Sequence, residues 1–542
     1  MTVEGAECGL ETPDLTISVR QIEVVGSTIF TPKDWNPIIE PLAGRTVTLA
    51  QLQEAADKIT QLYVENGYIT SRAVLGEQEI VDGVVQIQVI EGRLSEIKIE
   101  GAPRLENYVR LRLELGAKPP LRPNRIEDQL LLLQSDPLIK GINASLQPGV
   151  KIGESILVVT VNPAPSFNAE LTADNYSPPI LGGEQYGIGV GYGNLTGLGD
   201  RIFASYKHTS GRTNLWDFRY HIPLNPMDGA VELRAFLSRS EFTSSQTFNL
   251  INQGQITQET FDLTLSSDYD FYQASFRQPI IRTPRKELAL SLGFSYRNGF
   301  PLEALEAVNL PAILTDFLNQ VGVEQGLQDL GLLSPDLNQD KTSVFALGVD
   351  YITRDQSGVW ALRSQFNFGT GLFDATIRPS PLPDGLFFSW LLQMQRIHRL
   401  GEDNLLLISV DIQLTPNSLL ASEQFVIGGG QSLRGYRQNV RFGDNGFRFS
   451  IEDRIALVKN EVGNAVFQIA PFADIGQVWN NPDNPVTLPS QTFLAAIGVG
   501  LLWNPVKQVA VRLDFALPFV NLKDRGNNIQ DNGIYFNVII RP

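Results

Sequence analysis

The most specific chemistry in the sequence lies in the stretch Phe425 to Phe442, which reads FVIGGGQSLRGYRQNVRF. It contains three consecutive glycines, Gly428 to Gly430, which permit backbone angles that other residues avoid. A motif of four residues follows, in which a permanent cation stands beside a glycine and an aromatic ring: Leu433, Arg434, Gly435 and Tyr436. This combination indicates a specialised loop rather than a passive turn.

A candidate partner for Arg434 occurs in the segment FADIG, which contains Phe472, Asp474 and Gly476. Because strand residues alternate between two faces, Asp474 and Gly476 share one face and Ile475 takes the other. An arginine can hold a carboxylate through two hydrogen bonds. Two unit charges about 4 Å apart gain about 4 kcal/mol before desolvation at an effective dielectric near 20. That attraction would pin a loop, although the spacing alone also allows Asp474 to be simply hydrated.

The composition describes a foldable chain of moderate polarity, with 542 residues, 43% apolar residues and 19% charged residues. No run of about 18 apolar residues occurs, so a membrane-spanning helix is not expected. A membrane β-barrel stays open, because its strands alternate apolar and polar residues. The net charge of -16 argues against nucleic acid as a partner, since phosphate binding requires clustered Lys and Arg.

Neither a metal site nor a cofactor site is indicated. The single cysteine, Cys8, excludes an intrachain disulfide and a thiolate metal site. The three histidines, His208, His221 and His398, lie far apart in the sequence. The triple glycine lacks the Lys-Ser or Lys-Thr pair of a phosphate loop. We therefore expect a protein that is not an enzyme and that uses no metal or cofactor.

The N-terminal part contains two copies of one pattern. Residues 1–15 are polar and are expected to be flexible. They show no secretory signal, so if the protein is exported, we expect that the numbering starts after a signal or that the true start lies upstream. A strand, two helices and two strands are predicted in residues 16–93, and the same order recurs in residues 94–163. Prolines at positions 163 and 165 then stop both helix and strand. We expect two β-α-α-β-β domains that end there.

From residue 164 to the end, an alternation of period two replaces the helical spacing. Leu513, Phe515 and Leu517, for example, oppose Arg512 and Asp514. Such strands carry apolar residues on one face and polar residues on the other. Sixteen strands are predicted, near residues 168, 185, 200, 213, 230, 268, 286, 342, 357, 386, 403, 445, 464, 491, 508 and 533.

The lengths of the connections distinguish a barrel from a soluble sandwich, which would show the same alternation. The even-numbered connections are tight, whereas most odd-numbered ones are long, including residues 241–267, 298–341 and 415–444. Outer-membrane barrels have this arrangement of short and long connections. Within the second of these loops, residues 301–335 show weak helical spacing and predict short helices. We predict a mainly β chain in which residues 164–542 form a sixteen-stranded transmembrane β-barrel, with loop 415–444 folded inward.

These features together resemble the TpsB transporters of two-partner secretion, the haemolysin secretion/activation family ShlB/FhaC/HecB. The repeats are similar to its polypeptide-transport-associated (POTRA) domains, and LRGY lies between strands eleven and twelve while FADIG lies on strand thirteen. The resemblance implies an outer-membrane pore whose periplasmic POTRA domains capture an exoprotein while it is unfolded and whose barrel exports it without ATP. The implied exoprotein is TpsA-like and β-helical once secreted. The resemblance also implies that Arg434 pairs with Asp474 in the lumen. Outer-membrane lipid and the barrel assembly machinery are the other implied partners.

Two other functions stay open at this point. One is a POTRA-containing factor that inserts other barrels, although such factors commonly carry more repeats. The other is a passive porin or receptor, which would need neither the repeats nor an inward loop bearing Arg434.

Overall fold

The computed structural model describes residues 16–252, 255–299, 303–308 and 340–542. The chain divides into two compact units between Ala164 and Pro165. In the part of the chain just given, no helix is both long and apolar enough to cross a membrane.

The first unit begins with a mixed domain whose basic order is strand, helix, helix, strand, strand; its first strand is divided into two, and one additional short strand lies between the helices. Its elements are β1 (Thr16–Val19), β2 (Gln21–Val25), α1 (Pro32–Ile39), β3 (Arg45–Thr48), α2 (Leu49–Glu65), β4 (Arg72–Val74) and β5 (Val84–Ile90). Strand β5 lies between β2 and β4, parallel to β2 and antiparallel to β4. Strand β3, which the sequence pattern did not predict, pairs with β1.

Helix α2 shows why this sequence folds locally as it does. Thr48 caps its first turn, and the side chain of Gln51 accepts a hydrogen bond from the Thr48 backbone in return, which forms a capping box. Leu52, Ile59 and Tyr63 recur at helical spacing and are buried against the sheet. The helix thus supplies one face of a closed apolar core.

A second domain of the same order follows in this unit. Its elements are β6 (Arg93–Glu100), α3 (Glu106–Glu114), α4 (Pro123–Gln134), β7 (Ile139–Pro148) and β8 (Glu154–Pro163). Strand β8 lies between β6, to which it is parallel, and β7, to which it is antiparallel. The helices bury Val109 and Leu113 in a core of their own. Both domains therefore confirm the predicted β-α-α-β-β order.

The second unit is a closed antiparallel barrel of sixteen strands in sequence order. The barrel strands are β9 (Phe167–Asp174), β10 (Gln185–Gly193), β11 (Arg201–Thr209), β12 (Asn214–Pro223), β13 (Ala230–Asn252), β14 (Gln255–Arg282), β15 (Lys286–Gly299), β17 (Asp340–Asp355), β18 (Gly358–Thr370), β19 (Phe388–Arg399), β20 (Asn404–Leu414), β23 (Asn445–Lys459), β24 (Ala465–Trp479), β25 (Phe493–Val506), β26 (Val509–Pro518) and β27 (Ile534–Ile540). Three further strands are short: β16 (Glu303–Val308), which belongs to the same sheet, and β21 (Phe425–Ile427) and β22 (Arg441–Gly443), which form a separate two-stranded sheet. The predicted number of barrel strands is confirmed, and each predicted position falls at or near one strand, although β13 and β14 are longer than expected.

The two faces of the barrel wall differ as the alternation predicts. On β26, Asp514 is fully buried, whereas its neighbours Leu513 and Phe515 are exposed on the outer face. On β24, Asp474 is 1% exposed and Ile475 is 38% exposed. The outer face is therefore apolar, as contact with lipid requires. The inner face carries the polar and charged residues.

Two expectations for the long connections were wrong. Residues 241–267 were predicted to be a loop, but β13 and β14 continue as a paired hairpin as far as Asn252 and Gln255. This stretch is rich in Thr, Phe and Ile, which favour strands, but the strand positions predicted near residues 230 and 268 left it as a long connection. Short helices were predicted from about residue 304, but residues 303–308 form β16, which extends the sheet at β14. The rest of the predicted helical region, 309–335, lies outside the described residues.

Candidate functional site

The connection between β20 and β23 positions the LRGY motif. Its strands β21 and β22 pair antiparallel and bring the two ends of the loop together. Gly428 and Gly429 turn the chain with φ values of 111° and 102°, a region that favours glycine. The backbone N–H of Gly429 donates to the carbonyl of Leu433 at 3.0 Å. These turns present the side chain of Arg434 to the inner wall of the barrel.

Arg434 and Asp474 are in direct, two-pronged contact. Arg434 Nε donates to Asp474 Oδ2 at 2.7 Å, and Nη2 donates to Oδ1 at 2.8 Å. The backbone N–H of Arg434 also donates to Oδ2, at 3.1 Å. Both residues are buried. Such a fork-to-carboxylate arrangement fixes orientation as well as distance.

Further charged residues of the barrel wall complete this site. Arg434 Nη1 donates to Glu452 Oε2 at 2.6 Å and lies 3.9 Å from Asp514 Oδ1. Arg512 bridges these two carboxylates, with contacts of 2.7 Å to each. Arg454 Nε donates to Glu452 Oε1 at 2.7 Å. Three arginines thus face three carboxylates, and the charges of the cluster balance.

The aromatic and small residues of the two motifs shape the space around this cluster. The guanidinium carbon of Arg434 lies 3.3 Å from the ring centroid of Phe472, a cation–π contact. A Cβ at position 476 would lie 3.1 Å from Leu433 Cδ1 and 2.9 Å from the backbone oxygen of Phe447. Gly476 therefore makes room for Leu433, and the two motifs pack directly against each other.

Gly435 and Tyr436 attach the motif to the last strands of the barrel. Gly435 has a φ of 96°, and a Cβ there would lie 3.0 Å from Ala496 Cβ. The Tyr436 hydroxyl donates to the carbonyl of Ala495 at 2.8 Å. Tyr535 on β27 donates its hydroxyl to the Tyr436 carbonyl at 2.6 Å and accepts from the Gly435 N–H at 2.9 Å. The loop is thus bound to both β25 and β27.

A second ion pair holds the outer part of the loop. Arg441 is 2% exposed, and its guanidinium donates to both carboxylate oxygens of Asp524 in the connection between β26 and β27, at 2.9 and 2.7 Å. Arg437 donates to the same carboxylate at 3.0 Å. The hydrogen bond from Arg441 lowers the pKa of Asp524 to about 2. The carboxylate therefore stays charged well below neutral pH.

The structure brings all seven residues of the two predicted motifs into one cluster. Sequence reasoning did not assign a role to Glu452, Arg512, Asp514 or Tyr535, which complete it. Alternation had already placed Arg512 and Asp514 on the polar face, so part of the signal was present in the sequence. The approach of Asp514 to Arg434 depends on how the loop lies against the barrel wall, which strand spacing alone does not give. No group of three or more possible metal ligands occurs among the described residues.

A closed sixteen-stranded barrel with an ion-paired internal loop, preceded by two small mixed domains, defines the class of POTRA-containing outer-membrane barrels. The family model of the ShlB-type POTRA domain matches residues 17–92. The model of the haemolysin secretion/activation protein ShlB/FhaC/HecB matches residues 153–299 and 336–502. The chain belongs to this family of TpsB-type secretion transporters.

Individual relatives agree with this assignment. The outer membrane transporter CdiB of Dickeya dadantii is 24% identical over 507 residues, which cover 92% of this chain and 78% of the relative. The heme/hemopexin transporter protein HuxB of Haemophilus influenzae is 22% identical over 506 residues, 91% of this chain and 82% of the relative. The structure of CdiB from Escherichia coli has the same fold, with a TM-score of 0.69 at 21% identity, over 99% of this chain and 93% of the other.

Proposed function

We propose that residues 164–542 form a pore that conducts an unfolded exoprotein to the cell surface, and that residues 16–93 and 94–163 capture it as POTRA domains in the periplasm. An even number of antiparallel strands places the start of β9 and the end of β27 at the same end of the barrel. That end faces the periplasm in this proposal. The relatives are named as transporters, which supports a secreted protein as the partner.

One observation carries the proposal most directly: the LRGY loop is held by hydrogen bonds and ion pairs to the barrel wall. The contacts of Arg434 with Asp474 and Glu452 are short but non-covalent. A passive pore needs no such buried cluster. In this proposal Leu433, Arg434, Gly435 and Tyr436 are the pore loop motif, and Phe472, Asp474 and Gly476 are its lumenal partner motif.

Deletion of the gene tests the transport function. We expect one large exoprotein to disappear from the culture medium and to accumulate in the periplasm. A general loss of outer-membrane proteins would instead indicate a barrel-insertion factor. Unchanged secretion of every large exoprotein would refute the proposal.

The capture role has its own experiment. Residues 16–164 contain two closed apolar cores, so this fragment is expected to fold alone. In a titration it should bind the N-terminal domain of the exoprotein that depends on the transporter. Absence of binding by a folded fragment would remove capture from the proposal while leaving conduction by the barrel untouched.

A further inference from the structure

The ladder that closes the barrel is short. The β9–β27 ladder spans only the four residue pairs from Asn537↔Asp174 to Ile540↔Leu171, whereas β9 pairs with β10 along eight. A short ladder provides fewer backbone hydrogen bonds to hold the first and last strands together. Closure at the end near the LRGY loop must therefore depend on other contacts.

A buried side chain takes over where this ladder stops. Asn175 follows β9 and is 0% exposed. Its amide nitrogen donates to the carbonyl of Ile534 at 2.9 Å, and its amide oxygen accepts from the N–H of Phe536 at 2.9 Å. Its backbone N–H donates to the Phe536 carbonyl at 3.3 Å. Asn175 thus extends the seam between β9 and β27 with side-chain bonds.

A second buried amide joins this seam to the LRGY loop. Gln530 is 1% exposed, and its amide nitrogen donates to the carbonyls of Asn175 and Ser177 at 2.8 and 2.7 Å. Its amide oxygen accepts from the backbone N–H of Gln438, two residues after LRGY, at 2.8 Å. All three hydrogen bonds use the amide group of Gln530. Its nitrogen faces the seam and its oxygen faces the loop.

We propose that Gln530 is a positioning residue that couples the inward loop to closure of the β9–β27 seam. When the loop is in place, Gln438 fixes the amide of Gln530 so that its nitrogen faces the carbonyls of Asn175 and Ser177. When the loop moves, Gln530 loses this orientation, and the end of the seam nearest the loop loses two hydrogen bonds. Tyr535 on β27 strengthens the coupling, because it binds Gly435 and Tyr436. This role in barrel closure goes beyond the proposed transport function and does not depend on which exoprotein is exported.

Gln530→Glu removes the hydrogen bonds to the seam while it keeps the one to the loop. A glutamate still accepts from the Gln438 N–H, but it cannot donate and its charge would face the carbonyls of Asn175 and Ser177. Because two buried hydrogen bonds are lost and their acceptors are left unsatisfied, we expect occupancy of an open, conducting state to rise roughly tenfold or more. The readout is conductance of the purified full-length protein in planar bilayers.

A matched control exists at Gln491, which links two other parts of the chain. Its amide donates to the Asn521 carbonyl at 2.6 Å and accepts from the Lys523 N–H at 2.7 Å. Gln491→Glu makes the same chemical change away from the seam. We expect its conductance to stay close to that of the unmodified protein.

A disulfide across the seam then tests whether the higher conductance of Gln530→Glu arises from opening of the β9–β27 seam. Ala173 and Val538 are direct partners on β9 and β27, and opposed strand residues have a Cα separation that a disulfide accepts. Ala173→Cys and Val538→Cys are combined with Cys8→Ser and Gln530→Glu. Oxidation should restore low conductance and reduction should reverse this.

Two results would overturn the proposal. One is normal conductance of Gln530→Glu, and the other is an open state that persists when the seam disulfide has formed. If Gln530→Glu does not fold, as judged by heat-modifiable migration, Gln530→Met replaces it. This neutral variant loses all three bonds and should show the same increase, again suppressed by oxidation. Normal conductance of the methionine variant would also refute the coupling.

Discussion

Replacement of Arg434 by alanine tests the central contact of the site. The change leaves Asp474 buried without its main cation, while Glu452 and Asp514 keep Arg512. Removing one partner of a buried ion pair costs about 3–5 kcal/mol, because the remaining charge is left uncompensated. At about 1.4 kcal/mol per factor of ten, the equilibrium for the docked loop should weaken by roughly two to four orders of magnitude. Loss of the docked loop should abolish secretion while the barrel still inserts.

The assay compares exoprotein in the medium with exoprotein in the periplasm, and heat-modifiable migration reports whether the barrel has folded. Arg219→Ala is the matched control, because Arg219 is about half exposed and its partner Asp217 keeps a second cation, Arg234; exposed pairs of this kind contribute about 0–1 kcal/mol. This variant should secrete nearly normally. Near-normal export by Arg434→Ala, with folded barrel in the membrane, would refute the role assigned to the contact.

Three further predictions concern other parts of the molecule. Arg434→Lys keeps the charge but loses the two-pronged contact with Asp474, so secretion should fall between that of the unmodified protein and that of Arg434→Ala; export equal to the unmodified protein would contradict this. Ile59→Ala should destabilise fragment 16–164 by about 2–5 kcal/mol in denaturant titrations because it empties part of a core, whereas Leu49→Ala, at an exposed position, should change its stability little. Because the pKa of Asp524 is lowered to about 2 from about 3.9 in an unfolded chain, its stabilising effect should be constant above about pH 4 and disappear as the pH falls to about 2. Thermal unfolding of the protein and of Asp524→Asn in detergent measures this, and a difference in stability that already vanishes at pH 6 would contradict it.

The barrel could be predicted from the sequence because each strand carries its own signal. Leu513, Phe515 and Leu517 alternate with Arg512 and Asp514, and the tight turns mark where one strand ends and the next begins. Both signals are local, so a reading of neighbouring residues is sufficient. The helices of the N-terminal domains were equally accessible, since Thr48 and Gln51 mark the start of α2.

The expectations that were wrong depended on what a segment pairs with. Residues 241–267 were predicted as a long loop from the spacing of the strand patterns, whereas β13 and β14 continue to pair as far as Asn252 and Gln255. Residues 303–308 become a strand because the extended β14 offers them a partner. Glu452 likewise could not be assigned, because only the closed barrel brings β23, β24 and β26 around Arg434.

The balance of charge in the cluster suggests why the loop can be both held and moved. An isolated buried arginine would resist any displacement from its carboxylate, since each group would be left without a counter-charge. Here Arg454 stays paired with Glu452, and Arg512 stays paired with Glu452 and Asp514, when Arg434 leaves. Asp474 is therefore the carboxylate that loses its main counter-charge. Ser450 still donates to it, at 2.6 Å. The wall thus keeps most of its own pairing when the loop is displaced, so the charge that needs a new partner is that of Asp474.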